Sequence, residues 1–155
     1  KIMVKGDLIM KGYYNDPELT AECMNDGWYN TGDMGYFDAD DYLWHSGRFK
    51  RFVKIGGEMV SLVRVENTLE QFLPEGVLCC VVEVADEIKG ASIIATVTKE
   101  VDKAAILKKM SAELPNIALP KQFLVIDELP MMSTGKIDFR TVSKIVNEMI
   151  GDSEA

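Results

Sequence analysis

Hydrophobic positions follow a helical spacing in some stretches of this chain and an alternating or continuous β-like spacing in others, and the mixture changes character near residue 50. Before that point the apolar runs are short. Ile2-Met3-Val4, Asp7-Leu8-Ile9-Met10 and Gly35-Tyr36-Phe37 read as strands, separated by turn-forming clusters such as Asn15-Asp16-Pro17 and Asp38-Ala39-Asp40-Asp41. A helix is expected from about Pro17 to Met24, with Asp16 as its cap and Pro17 at its first position. These strands are too few to close a core of their own.

Beyond Gly47-Arg48-Phe49-Lys50-Arg51 the periods lengthen. Phe52 to Ile55, then Gly56-Gly57, then Glu58 to Val60 read as a hairpin, because paired glycines supply the positive φ values of a tight turn. Ser61 caps a helix with Val65, Leu69 and Phe72 on one face, and β-branched runs predict strands over Val77 to Val84 and Ser92 to Thr98. Asp102 opens a second amphipathic helix carrying Ile106, Leu107, Met110 and Leu114, and Gln122 to Ile126 is a further strand. The last helix, Phe139 to Ile150, carries Val142, Ile145, Val146, Met149 and Ile150, a stripe that packs on a sheet. The expected class is α+β, with helices packed on a small sheet from about residue 51 to 150.

Composition narrows the function. Of 155 residues, 47% are hydrophobic and 27% charged, a globular balance. Seventeen basic against twenty-five acidic residues give a formal charge of −8, which disfavours nucleic acid and anionic lipid as bulk partners. Three cysteines, Cys23 and the adjacent Cys79-Cys80, have neither zinc-site spacing nor an even count, and fit a reducing, cytoplasmic setting. No apolar run reaches the ~18 residues of a membrane span. The chain begins at Lys1 rather than Met, which points to a piece of a longer protein.

Several residues could carry chemistry, each beside a plainer reading. Lys136 ends the loop Leu129-Pro130-Met131-Met132-Ser133-Thr134-Gly135-Lys136; it is either an ordinary solvated lysine or a charge carried into a site built elsewhere. The loop is not a phosphate-cradling GxxxxGK[ST] sequence, because Ile137 follows the lysine. Asp33, in Thr31-Gly32-Asp33, is either part of a polar turn or a carboxylate able to accept two hydrogen bonds from the vicinal hydroxyls of a ribose. Arg48, Lys50, Arg51 and Lys54 are either a solvated strand face or a site for phosphate or an acidic partner. His45 is the only histidine, so no histidine-based metal cluster or Ser-His-Asp triad can be completed within the chain, and a strand histidine with a satisfied nitrogen is the expectation. Cys79 and Cys80 point to opposite faces of a strand and fill the core, and Met131-Met132 form an apolar cover.

Taken in order, Gly6-Asp7-Leu8 to Gly12-Tyr13-Tyr14, Gly27-Trp28-Tyr29-Asn30-Thr31-Gly32-Asp33, Gly47-Arg48, Lys54-Ile55-Gly56-Gly57-Glu58 and Pro130 to Lys136 resemble the C-terminal part of the adenylate-forming enzymes: acyl-CoA synthetases, luciferases and peptide-synthetase adenylation domains. Within that superfamily, Gly47 to Phe52, Gly57 to Leu62 and Ser133 to Phe139 most resemble the bacterial bifunctional proteins that join an acyl-[acyl-carrier-protein] synthetase to a 2-acylglycerophosphoethanolamine acyltransferase. The resemblance implies that residues 1–49 are the β-rich end of a large nucleotide-binding domain and residues 50–155 a mobile lid. It implies ATP and Mg²⁺, bound mainly by the missing N-terminal domain, with that domain, a fatty acid, and acyl carrier protein or CoA as partners. By position, Lys136 is the adenylation lysine, Asp33 holds the ribose hydroxyls, Arg48 contacts the nucleotide and Lys50 is the hinge. Gly56, Gly57 and Glu58 line a pantetheine tunnel, and Arg51 and Lys54 are carrier or phosphate contacts. No metal ligand is implied in this piece. The ATP loop and the acyl pocket lie outside it, so it does not turn over alone. The implied location is cytoplasmic, with the parent at the cytoplasmic face of a bacterial inner membrane. Other readings are a plain acyl-CoA synthetase, an adenylation domain, or a non-catalytic module that docks a carrier protein.

Overall fold

A computed structural model describes residues 1–151, which divide into two compact units, Lys1–Arg51 and the chain from Phe52 onward. The first unit is β1 (Met3–Val4), α1 (Pro17–Cys23), β2 (Met24–Asn25), β3 (Trp28–Asn30), β4 (Asp33–Phe37) and β5 (Leu43–Arg48), closed by a 3-10 turn over Phe49–Arg51. β3 lies between β1 and β2 in an antiparallel sheet, and β4 pairs with β5 in a separate hairpin. The N-terminus of α1 is fixed as expected: the Leu19 N–H donates to Asp16 Oδ1 at 2.9 Å, with Pro17 opening the helix. Asp7 to Met10, expected to be a strand, is a turn in which the Ile9 N–H donates to the Gly6 carbonyl at 3.1 Å. A strand needs a neighbour for its backbone groups and an apolar surface for its side chains, and Leu8 is 100% exposed. Among the described residues the buried hydrophobics all lie at Val53 or beyond, so the first unit closes no core of its own.

The second unit comprises β6 (Phe52–Ile55), β7 (Glu58–Ser61), α2 (Leu62–Glu70), β8 (Cys79–Asp86), β9 (Gly90–Val97), α3 (Lys103–Met110), β10 (Gln122–Val125) and α4 (Phe139–Gly151). Its central sheet has the order β10-β9-β8, antiparallel between β8 and β9 and parallel between β9 and β10. The parallel pair requires a crossover, and α3 lies within it. Alternation along β8 and β9 divides the interior in two. Cys79, Val81, Ile93, Ala95 and Val97 join Leu62, Val65 and Leu69 of α2, Ile106 and Met110 of α3, and Val53, Ile55 and Val60 of the β6–β7 hairpin. Cys80, Val82, Val84 and Ile94 join Leu129 and Val142 and Val146 of α4. The adjacent cysteines therefore fill different clusters, and burial pushes the Cys79 thiol up, keeping it protonated.

Two helices are shorter than their apolar patterns. α2 stops at Glu70 and α3 at Met110, leaving Phe72 and Leu114 in the turns that follow, where they still pack on the core. Burial of those side chains does not require helical backbone. On β8, the Val81 N–H donates to Glu66 Oε2 of α2 at 2.8 Å, satisfying an amide on a strand that pairs with a single neighbour.

Leu69 is fully buried, so Leu69→Ala should cost about 3 kcal/mol, read as a lower urea midpoint at unchanged slope. A second expectation concerns acid. The Lys121 ammonium donates to Asp86 Oδ2, and the N–H groups of Lys89 and Ile88 donate to Oδ1, holding the Asp86 carboxyl down at about 2. A depressed carboxyl contributes stability above its unfolded value, near 4, and loses it as pH falls toward its folded value. Asp86→Asn should therefore flatten the acid limb of a stability–pH curve between about pH 4 and 2.

Candidate functional site

In the first unit the β4–β5 register sets Asp33 directly opposite Arg48. Arg48 Nε lies 3.1 Å from Asp33 Oδ1, while its Nη1 donates to the Thr31 carbonyl at 2.9 Å, so one guanidinium ties the carboxylate to the turn that carries it. That turn is fixed from several sides. The Gly32 N–H donates to Asn30 Oδ1 at 3.0 Å and the Asp33 N–H to Thr31 Oγ1 at 3.1 Å. The Ile2 N–H donates to the Asp33 carbonyl at 2.8 Å, and the Phe49 N–H to that of Gly32 at 2.8 Å. Gly32, at φ +75°, supplies a conformation that other residues adopt at a cost. Asp33 thus sits in a backbone held by short hydrogen bonds, its side chain 24% exposed. The polar-turn reading of Thr31-Gly32-Asp33 describes this geometry, and the same turn fixes the backbone that carries the carboxylate.

Lys50 is exposed in the 3-10 turn where the first unit ends. Arg51 is 5% exposed, which removes it from the cations offered to a partner's surface; Lys54, on β6, remains exposed. Gly56 and Gly57 take φ +56° and +95° and close the β6–β7 hairpin as expected. The Gly56 N–H donates to the Lys89 carbonyl at 2.9 Å, fastening the turn to the β8–β9 hairpin. A side chain at Gly57 would meet nothing within 4 Å, so within this unit glycine is set there by backbone conformation and not by a close neighbour. Glu58 is exposed beside it.

Lys136 is held by its backbone and left free at its tip. Met131 bridges to Ile137, the Met132 N–H donates to the Lys136 carbonyl at 2.7 Å, the Gly135 N–H donates to the Met132 carbonyl at 2.9 Å, and Gly135 takes φ +78°. This is a tight hairpin loop with glycine at the left-handed position. On its far side Asp138 caps α4, accepting from the Arg140 and Thr141 N–H groups and from Thr141 Oγ1 at 2.8 Å; those bonds, the hydroxyl's first, hold its carboxyl below the usual range. Ile137 and Phe139 on either side of the cap pack into the α4 cluster, and the lysine side chain is exposed with no ion pair among the described residues. The lysine loop and the Gly56–Gly57 hairpin are thus anchored in different clusters, on opposite faces of the central sheet. Met131 and Met132 are exposed beside the lysine. Among the described residues, no group of three or more His, Cys, Asp or Glu side chains is arranged to hold a metal ion.

The sequence reading missed the partner of His45. Its Nε2 lies 3.6 Å from Asp33 Oδ1, on the carboxylate that Arg48 also approaches. Regular alternation puts residues 45 and 48 on opposite faces of a strand, and nothing in the sequence marks the irregularity that brings them to one face.

The mixed sheet with α2 and α3 on one face and α4 on the other is the small α+β C-terminal domain of the adenylate-forming fold. Residues 65–136 match the family described as AMP-binding enzyme C-terminal domain, so the chain carries a C-terminal domain of the adenylate-forming type. The chain is 33% identical to an indoleacetate–CoA ligase of Aromatoleum aromaticum over 94% of its own length and 29% of the relative's. It is 35% identical to an oxalate–CoA ligase of Arabidopsis thaliana over 93% of its length and 29% of that relative's. The structure of o-succinylbenzoate CoA synthetase (MenE) from Bacillus subtilis, in complex with its acyl-adenylate intermediate, superposes with a TM-score of 0.81 at 27% identity, covering 90% of this chain and 29% of that one. The chain therefore spans less than a third of the length of the curated relatives it matches.

The lysine loop makes a local demand on one residue. Gly135→Ala should cost about 1–2 kcal/mol through left-handed backbone strain, read as a lower thermal midpoint. Gly135→Asn should recover most of the loss, because asparagine tolerates that region.

Proposed function

We propose that the chain is the C-terminal part of an ATP-dependent acid–thiol ligase that converts a carboxylate to an acyl-adenylate and passes the acyl group to the thiol of CoA. What supports this reading most is a lysine presented bare on a hydrogen-bonded, glycine-closed loop in a domain whose matched relatives include CoA ligases. Forming the adenylate requires an anionic carboxylate to attack an anionic α-phosphate. A cation spanning the two offsets their repulsion most where charge is being redistributed, so it acts on the transition state more than on the bound substrates. Lys136 is in the right condition for that role, because no carboxylate of the described residues neutralises it beforehand.

The remaining positions take roles around it. Asp33 accepts hydrogen bonds from the ribose hydroxyls, and Arg48 contacts the nucleotide while holding Asp33. Lys50, at the end of the first unit, is the hinge on which the second unit turns. The Gly56–Gly57 hairpin is presented from the other face of the sheet and admits the pantetheine arm during thiol transfer. Residues 1–49 then belong to the large ATP-binding domain and residues 50–155 to the lid. ATP and Mg²⁺ are bound chiefly by the portion of the enzyme that precedes this chain.

A second reading makes acyl carrier protein the acceptor of a fatty acid, within a protein that also carries 2-acylglycerophosphoethanolamine acyltransferase activity. The exposed cations Lys50 and Lys54 support it, since they suit an acidic carrier surface, although CoA phosphates suit them equally. The CoA ligases among the relatives make CoA the preferred acceptor.

The test uses the full-length protein with ATP, Mg²⁺ and a panel of carboxylic acids, comparing thioester formation on CoA and on holo acyl carrier protein. Lys136→Ala should slow adenylate formation by on the order of a hundredfold or more, while thioester formation from preformed acyl-adenylate persists. Equal loss of both half-reactions would remove Lys136 from the adenylation step.

A further inference from the structure

The β4–β5 hairpin contains one irregularity, and it falls at the proposed nucleotide site. Asp33 pairs with Arg48 and Met34 with Gly47, but Gly35 pairs with His45, so Ser46 is an extra residue in β5. In a regular strand residue 46 would share the face of Arg48 and residue 45 would point the other way. The bulge reverses that. It brings His45 to the face of Asp33 and Arg48, where its Nε2 lies 3.6 Å from Asp33 Oδ1. Gly35 is part of the same device. A Cβ at that position would lie 2.6 Å from the Trp44 carbonyl oxygen and 2.9 Å from Ile2 Cδ1, so the close approach of the two strands at the bulge requires a residue with no side chain. With no side chain opposite it, His45 reaches diagonally toward Asp33.

Resting on the reading of Asp33 as the ribose-binding carboxylate, we infer that His45 is a positioning residue that, together with Arg48, holds one oxygen of Asp33 so that the other faces the vicinal hydroxyls of a ribonucleotide. The approaches of both side chains fall on Oδ1, at 3.1 Å from Arg48 Nε and 3.6 Å from His45 Nε2. Among the described residues no hydrogen bond is made to Oδ2. Arg48 alone leaves the carboxylate able to turn about its Cβ–Cγ bond, because it approaches from one direction and divides its donors between Asp33 and the Thr31 carbonyl. A second group on the same oxygen narrows that rotation. The consequence is selectivity: a carboxylate held in one orientation favours a nucleotide with both hydroxyls over one lacking the 2′-hydroxyl.

His45 is 62% exposed at its side chain, so it can be replaced without opening a core. The experiment measures equilibrium binding of ATP and of 2′-deoxy-ATP to the full-length protein by calorimetry, which needs no knowledge of the acid substrate. His45→Leu should weaken ATP binding about two- to fivefold, the range of a single exposed polar contact, and weaken 2′-deoxy-ATP binding less, at an unchanged thermal midpoint. His45→Gln, which keeps a donor at similar reach, should restore the preference for ATP. Asp33→Ala should remove that preference and cost about tenfold or more in ATP affinity. If Asp33→Ala removes the preference while His45→Leu leaves it at the wild-type ratio, the role of Asp33 stands and that of His45 is overturned. Equal loss in the Leu and Gln variants also overturns it, because packing and not the donor would then be responsible. If Asp33→Ala keeps the preference, the nucleotide reading of Asp33 fails and the inference falls with it.

Discussion

Burial of the sheet β10-β9-β8 on both faces is the constraint on which the second unit depends. Strand residues alternate in direction, so a sheet covered on one side alone would leave half of its Val and Ile side chains in water. Here α2, α3 and the β6–β7 hairpin cover one face and α4 covers the other, and the alternation that separates Cys79 from Cys80 separates every neighbouring pair along β8 from Cys79 to Val82. Because both faces are packed, loops fastened to either side inherit a rigid base. The Gly56–Gly57 hairpin is rooted through Val53, Ile55 and Val60, and the lysine loop through Leu129, Ile137 and Phe139.

The loops owe their shape to backbone, which leaves the Lys136 side chain unengaged among the described residues. Around Lys136, hydrogen bonding is taken up by main-chain groups and by the Asp138 cap, so the lysine carbonyl is fixed while its ammonium stays in solvent. The contrast with Lys121 is informative, for that ammonium is joined to Asp86 and serves the fold. In a chain of formal charge −8 a cation finds an acidic partner easily, and Lys136 makes no ion pair among the described residues. Asp33 shows the opposite arrangement, a carboxylate already engaged at one oxygen and therefore oriented.

What could be read from the sequence was what local chemistry alone decides. Asp16, Ser61 and Asp102 accept from their own helix termini, and the paired glycines close their hairpin, because each of these features needs only its near neighbours. Asp7 to Met10 has strand-like composition but no neighbour to pair with, and adopts a turn. Phe72 and Leu114 were correctly placed in the interior and wrongly placed in helices, since apolar spacing reports burial and not backbone state. The candidate positions Asp33, Arg48 and Lys136 were visible through their order along the chain. The approach of His45 to Asp33 was not, because it depends on a one-residue bulge that reverses the direction of a side chain without altering composition.

The placement of the two loops bears on how one small domain could serve two chemical steps. If Lys136 acts in adenylation and the Gly56–Gly57 hairpin in thiol transfer, a rigid unit with both faces packed cannot bring them together by bending, because bending would open the clusters that hold each loop. On the proposed function the unit then moves as a whole, with Lys50, exposed in the short turn before it, as the proposed hinge. On that same proposal, the packing of the sheet therefore makes the two loops available one at a time.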